Sequence, residues 1–242
     1  MPPASITRLR DALSWLSGQP SVAIVQIGAF VGPTDNDPLC AFLRDAFGTR
    51  PLAGDGASSL AVLVEPVAEY FERLREAYAG LDGVRFENVA IAESAGTRDF
   101  FRLAADPEAH GHPSWLAQLG SLRADRMTHL WNGYERGHLA AESDTLTRFY
   151  RDHQVTERVA CITFDMLLSR HGLGEIDLLQ IDTEGYDYAI LRTVDFTRQR
   201  PSFINYERVL LQDDEGPCRR LLEDAGYTLT DWGQDTLCTR RD

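Results

Sequence analysis

The chain has 242 residues, 43% hydrophobic and 25% charged, which fits one globular α/β domain with an insertion better than two independent cores. A net charge of -13 opposes binding to nucleic acid or an anionic membrane surface, and no apolar run reaches the roughly 18 residues of a membrane helix. All 24 basic residues are arginine, which excludes lysine Schiff bases, lysine general bases and phosphate loops ending in Gly-Lys-Ser/Thr.

Residues 1–20 read as an amphipathic helix in which Ile6, Leu9, Leu13 and Leu16 recur at helical spacing before Gly18 and Pro20 stop it. The stretch lacks the apolar core of a signal peptide, so a cytoplasmic location is expected. Next come a short apolar strand, Val22 to Ile27, and a helix, Pro38 to Phe47. A second strand, Leu60 to Val64, is followed by a helix from Val67 to Tyr78, whose apolar face is read as Phe71, Leu74 and Tyr78. Val84 to Ile91 then reads as a third strand. Strand, helix, strand, helix, strand implies a parallel sheet.

From about 104 to 155 the rhythm breaks into a polar stretch carrying Trp115, Trp131, Tyr134, Phe149 and Tyr150, which reads as a mostly helical, lid-like insertion. Alternation resumes with strand Arg158 to Thr163, helix Phe164 to His171 and strand Ile176 to Asp182. Helix Tyr186 to Val194, strand Pro201 to Glu207 and helix Pro217 to Ala225 follow, and an antiparallel hairpin closes the chain at 227–231 and 235–239. The expected whole is a single α/β domain over 1–242. The cysteines, Cys40, Cys161, Cys218 and Cys238, are too scattered for a zinc knuckle or disulfide framework and read as packing residues.

The chemistry gathers where apolar runs end. Ile176-Asp177-Leu178-Leu179-Gln180-Ile181 breaks into Asp182-Thr183-Glu184-Gly185-Tyr186-Asp187, and Phe203-Ile204-Asn205-Tyr206 ends on Glu207. Ligand chemistry in open α/β sheets collects at the carboxyl ends of parallel strands. The first strand runs into Gly28 and Gly32, two glycines that let backbone approach a ligand, without the third glycine of a dinucleotide fingerprint. The second ends on Glu65-Pro66, where a carboxylate can accept both hydrogen bonds from a ribose diol, and one adenosine ligand would explain both features.

Together these segments resemble the class I S-adenosylmethionine-dependent methyltransferases, and within them the FkbM-like family. The residues that carry the resemblance are Val25 to Ala29, Leu63 to Pro66, Asn88 to Ile91, Ile176 to Asp187 and Pro201 to Glu207. It implies a Rossmann-like, doubly wound, mostly parallel sheet with an antiparallel C-terminal strand, and S-adenosylmethionine as cofactor. By the same resemblance Gly28 and Gly32 line the methionine part, Glu65 holds the ribose and Asn88 to Ala90 border adenine; Gln26, Asp182 and Glu184 complete the cofactor set. The family often has Asn-Asp where this chain has Phe30-Val31, so the polar contact to the cofactor's amino-acid end falls to Asp35, Asp37 or Asp182, with no choice among them.

The reaction expected is methyl transfer to a hydroxyl of a small-molecule natural product, sugar or glycolipid. Asp182 and Glu207, on adjacent parallel strands, are the candidate proton acceptors; alternatively they share a Mg²⁺ that acidifies the hydroxyl. His129, in the stretch that looks like the family's lid, is the candidate histidine base. The competing readings are a non-catalytic nucleotide-binding or scaffolding domain, for which Phe30-Val31 is the hint, and a nicotinamide-dependent dehydrogenase. No nucleic-acid partner is expected, and a homo-oligomer is left open.

Overall fold

The computed structural model describes residues 2–3, 5–34, 37–48, 59–125 and 143–241. Helix α1 (Leu9–Ser17) buries Leu9, Ala12, Leu13 and Leu16, one stripe at the spacing of a helix lying on a core. There follow β1 (Ala23–Ile27), α2 (Pro38–Gly48), β2 (Leu60–Val64), α3 (Ala68–Ala77) and β3 (Val84–Glu87), then β4 (Ala90–Ile91) and β5 (Gly96–Leu103). After the insertion come α4 (Ser143–His153), β6 (Gln154–Ile162), α5 (Phe164–His171), β7 (Leu178–Ile181) and α6 (Asp187–Leu191). The chain closes with β8 (Phe203–Glu207), α7 (Glu215–Asp224), β9 (Tyr227–Trp232) and β10 (Asp235–Arg240). Local signals set the ends of these elements: Thr163 caps α5 by accepting the Met166 amide at 3.2 Å, and Gly172 ends it at φ 62.

Seven strands form the main sheet in the order β3-β2-β1-β7-β8-β10-β9. β1, β2, β3, β7 and β8 are parallel; β10 enters between β8 and β9, antiparallel to both. The architecture is therefore the mostly parallel α/β sheet with an antiparallel C-terminal strand that the sequence implies. Strand order reverses at β1, and the crevice beyond the carboxyl ends of β1 and β7 is where open α/β sheets bind ligands.

Because the parallel strands are covered on both faces, they read as continuous apolar runs. Val25, Ile27, Leu179, Ile181 and Ile204 point to the layer of α5, α6 and α7, whereas Ile24, Leu178, Phe203 and Leu237 point to α1 and α2. The Phe203 ring meets Trp15 of α1 edge-on, with centroids 5.7 Å apart.

Three expectations need correction. The strand read as Val84 to Ile91 is two strands: β3 stays in the main sheet, while β4 leaves it to pair with β6 in a second sheet of order β4-β6-β5. The break falls at Asn88, whose side-chain amide donates to the carbonyls of Glu65 (2.9 Å) and Pro66 (3.1 Å) and turns the chain there. On α3 the inward aromatic residue is Tyr70, with Phe71 only half-buried. Strand β5 had no sequence signal, since its alternation is masked by charged residues that pair across to β6: Arg102 with Glu157 at 2.6 Å, and Asp99 with Arg158 at 3.0 Å.

Between β5 and β6 the described residues carry two 3₁₀ turns, Glu108–His110 and Ser114–Gln118, and helix α4. Leu103, Leu116, Leu119, Leu146, Phe149 and Tyr150 pack together there, and the Tyr150 hydroxyl donates to the Leu119 carbonyl at 2.7 Å.

Phe203→Ala should destabilise the fold by about 3–5 kcal/mol through lost burial and the cavity left behind, whereas Met166→Ala at an exposed position should stay within about 0.5 kcal/mol. Urea denaturation of both variants checks the contrast.

Candidate active site

Register brings the tips together. Ile27 of β1 pairs with Val64 of β2 and with Ile181 of β7, and Ile181 pairs with Tyr206 of β8, so Gly28, Glu65, Asp182 and Glu207 follow as one row along the carboxyl edge. The approach of β1 to β7 is close enough to dictate residue type. A Cβ on Gly28, which sits at φ 84, would lie 1.8 Å from the Asp182 main-chain oxygen. The sequence pattern assigned this glycine to ligand approach; the structure gives it a neighbouring strand to clear. Gly32, also at φ 84, has no room for a Cβ because of the Tyr78 ring, 2.6 Å away.

Above this row lies a cleft with two adjoining lobes that share Gly28, Phe30, Gln118 and Asp182. The first lobe, about 670 Å³, has apolar walls from Val64, Val89, Ile91, Phe100 and Leu122, with Glu65, Asp182 and Glu184 as its acids. The second, about 570 Å³, is polar and is bordered by Gln26, Asp37, Gln180, Asp182, Trp232 and Asp235. The described lining of the two lobes contains no arginine or histidine.

Glu65 is the most constrained of these acids. It is 5% exposed, and its two oxygens accept the Phe30 amide at 2.9 Å and the Val67 amide at 2.8 Å. Burial pushes its pKa up to about 7 against the opposing pull of those two amides. Each carboxylate oxygen keeps a second lone pair, so the group still suits a pair of vicinal hydroxyls. Phe30 reaches its bond from φ 48, an uncommon conformation for a bulky residue, and its ring stacks edge-on against Tyr70 at 4.6 Å. The Phe30-Val31 departure thus removes polar side chains from the turn but leaves a main-chain donor that fixes Glu65.

The loop after β7 is held from below and from above. Asp187 is fully buried; its carboxylate accepts the Thr183 hydroxyl (2.9 Å) and amide (3.3 Å) and the Glu207 amide (3.3 Å), joining the tips of β7 and β8. From the insertion, the Ser121 hydroxyl donates to the Thr183 carbonyl at 3.2 Å and the Arg123 guanidinium to the Gly185 carbonyl at 3.4 Å. Glu184, between them, takes φ 57. Tyr186, on the cleft wall, donates to Glu93 at 2.6 Å. Burial opposes charge on Glu93, yet bonds from Tyr186, Arg192 and Arg98 hold it at about 2.

Of the residues singled out in the sequence, the cleft gathers Gln26, Gly28, Gly32, Glu65, Ala90, Asp182 and Glu184. Asn88 lines neither lobe; its amide is spent on the Glu65-Pro66 turn behind the wall. Glu207, at 7% exposure, also lines neither lobe, and across the β8–β10 pairing it is Asp235 that faces the polar lobe. His129 and Asp35 lie outside the described residues. Among the described residues no three His, Cys, Asp or Glu side chains group closely enough to hold a metal ion, and nothing in the cleft supports Mg²⁺.

Sequence reasoning missed Tyr70, Phe100, Gln180, Trp232 and Asp235. Gln180 left a trace as a polar residue inside an apolar run, in register with Gln26. Asp235 left none, because its position depends on β10 entering beside β8.

The methyltransferase FkbM domain matches residues 45–229, well over half of the chain. The chain belongs to the FkbM methyltransferase family. Membership implies S-adenosylmethionine as methyl donor, and the apolar lobe with Glu65 at its edge has the walls and acceptors that an adenosyl group needs. No curated protein matches the chain. Among solved structures it is similar to a precorrin-6y C5,15-methyltransferase from Geobacter metallireducens GS-15, with 13% identity over 99% of this chain and 94% of that one and a TM-score of 0.43. A ribosomal protein L11 methylase from Lactobacillus delbrueckii subsp. bulgaricus gives 8% identity over 95% and 78%, with a TM-score of 0.40. The fibrillarin pre-rRNA processing protein of Methanococcus jannaschii gives 9% identity at a TM-score of 0.40, covering 90% of this chain; the FkbM-family chain spans 65% of that relative's length.

Gly28→Ala should cost more than about 3 kcal/mol, since the new methyl group must push β1 from β7 or strip the Asp182 carbonyl of its place. A urea midpoint equal to that of the unsubstituted protein would show that the two strand tips do not run this close.

Proposed function

We propose that the chain is an O-methyltransferase that moves a methyl group from S-adenosylmethionine to a hydroxyl of a small-molecule natural product, sugar or glycolipid. The observation that carries this reading is the charge of the cleft: Glu65, Asp182, Glu184, Asp37 and Asp235 line it without one described cation. Such a wall favours a sulfonium and works against the diphosphate of a nicotinamide dinucleotide, which needs cations or a glycine-rich helix start. No observation favours the non-catalytic reading.

S-adenosylmethionine supplies an electrophilic methyl on a positively charged sulfur. The chain's residues then have three tasks. Glu65 fixes the ribose by accepting two hydroxyl hydrogen bonds. The apolar walls hold the purine and keep out water. Asp182, the one acid common to both lobes among the described residues, accepts the hydroxyl proton as the oxygen–methyl bond forms and the sulfur–methyl bond breaks. Glu207 supports this indirectly, through the Asp187 carboxylate that joins its amide to the Thr183 turn. Residues 104–155 act as the lid, placing Gln118 and Leu122 over the cleft. His129 is proposed as an additional proton acceptor.

The deciding experiment is calorimetric titration with S-adenosylhomocysteine and, separately, NAD. Binding of the first alone supports the reading; binding of NAD alone overturns it. With an acceptor found by screening, Asp182→Asn should lower kcat by about 10²–10⁴-fold, a far larger change than in cofactor affinity.

Glu65 adds a pH signature. Its folded pKa lies above the ordinary carboxylate value, so it costs stability progressively as pH rises from that value to about 7. The ionised form is the better acceptor of two hydroxyl bonds, so S-adenosylhomocysteine affinity should rise with pH through about 7 and then level off. Glu65→Gln should weaken binding by about tenfold or more and flatten this dependence, as read by calorimetry across that window.

A further inference from the structure

We infer that Arg102 is a positioning residue for the cofactor: its guanidinium, laid over the Tyr70 ring and paired with Glu157, holds the Phe30–Glu65 corner of the apolar lobe in the form that receives the ribose. This rests on the reading above, in which Glu65 accepts the ribose hydroxyls.

The geometry begins on the small sheet. Phe100 and Arg102 are two residues apart on β5, and Glu157 of β6 is the register partner of Phe100, so the three side chains share one face. Phe100 lines the apolar lobe, which turns that face toward the adenosyl group. Val67, Tyr70, Phe100 and Val159 pack there as one apolar cluster, with Phe30 against them. The guanidinium carbon of Arg102 lies 5.8 Å from the centre of the Tyr70 ring, and its Nε donates to Glu157 at 2.6 Å. With its side chain only 17% exposed, the position suits a planar, weakly hydrated guanidinium that can cover an aromatic ring.

From Arg102 the contacts run on to the cofactor site. Tyr70 meets the Phe30 ring edge-on at 4.6 Å, and Phe30, at φ 48, donates its amide to Glu65 at 2.9 Å. A bulky residue keeps such a backbone conformation only where its surroundings enforce it, and the Tyr70 ring under Arg102 is part of that enforcement.

Charge gives a second route. The described lining of the lobe holds no arginine or histidine, so a cation that acts on Glu65 must stand behind the wall. The charged and titratable groups that bear on Glu65 are Arg102 on β5, Glu157 on β6, Tyr70 on α3 and, across the lobe, Asp182 and Glu184. Burial raises the Glu65 carboxyl, the Val67 and Phe30 amides pull it down, and then Glu157 raises it while Arg102 lowers it. The two members of the ion pair therefore act on Glu65 with opposite sign. A pair that served only to join β5 and β6 would have no such effect on a carboxylate at the tip of β2.

The test is calorimetric titration of the full chain with S-adenosylhomocysteine at a series of pH values either side of about 7. Glu157→Gln should lower the pH midpoint of binding by about half a unit and Arg102→Met should raise it by about as much, whereas Arg102→Lys, which keeps the charge, should leave it within about 0.2 unit. In the double variant, Arg102→Met with Glu157→Gln, the midpoint should return to within about 0.2 unit of the unsubstituted chain, while affinity above it stays down by about threefold because Tyr70 has lost its cover. A midpoint unmoved by either single change, or moved in the same direction by both, overturns the proposal and leaves the pair as a brace between β5 and β6. Glu157 lines neither lobe, so Glu157→Gln decides the question even where Arg102→Met fails to fold. Failure of the unsubstituted chain to bind S-adenosylhomocysteine sinks the methyltransferase reading, and binding without a midpoint near 7 sinks the assignment of the ribose to Glu65. The proposal falls with either, and both are seen before any variant is made.

Discussion

The contact of β1 with β7 at their carboxyl ends is the constraint on which the cleft depends. Gly28 leaves no space for a side chain against the Asp182 carbonyl, and the Asp182 amide bonds to the Ile27 carbonyl at 3.0 Å, so the two tips are fixed relative to one another by main-chain contacts. From that line the other groups take their places. The amides of Gly28 and Ala29 both bond to the Val64 carbonyl, which holds β2 alongside and sets Glu65 at its end. On the other side Asp187 bridges to β8. The site is therefore built on strand ends rather than on free loops, which is how a catalyst keeps reacting groups within fractions of an ångström.

Charge is the second organising feature. Enclosing carboxylates in a partly apolar cleft is unfavourable by itself, and the raised pKa values of Glu65 and Asp235 express that cost. A cationic ligand reverses the sign of the interaction, so the arrangement stores in the free protein a repulsion that binding releases. Backbone strain is concentrated in the same place: Phe30 and Glu184, two of the three described residues other than glycine at positive φ, both line the cleft. The surrounding bonds to Glu65, Thr183 and Gly185 hold them there.

Much of this was legible in the residues, and the parts that were not share a cause. The three parallel strands whose tips meet at the cleft, β1, β2 and β7, are doubly covered, so they read as unbroken apolar runs and their ends mark the edge. What a run cannot show is which face its last residue presents. Glu207 ends β8 as expected, yet β10 pairs beside it and offers Asp235 to the cavity instead. Asn88 was read from its place after β3, but its amide is drawn to carbonyls behind the wall. Strand β5 escaped notice because arginines and acids satisfied by cross-strand partners look like solvent-facing loop. On α3 a shift of one residue in helical phase exchanged Phe71 for Tyr70. In each case the deciding partner is distant in sequence.

The bonds from Ser121 and Arg123 to the Thr183–Gly185 turn tie the insertion to the same few residues that carry Asp182 and Glu184. The turn that presents these two acids is therefore braced through its main-chain carbonyls by side chains of the insertion, so a change in either brace reaches the acids without touching them.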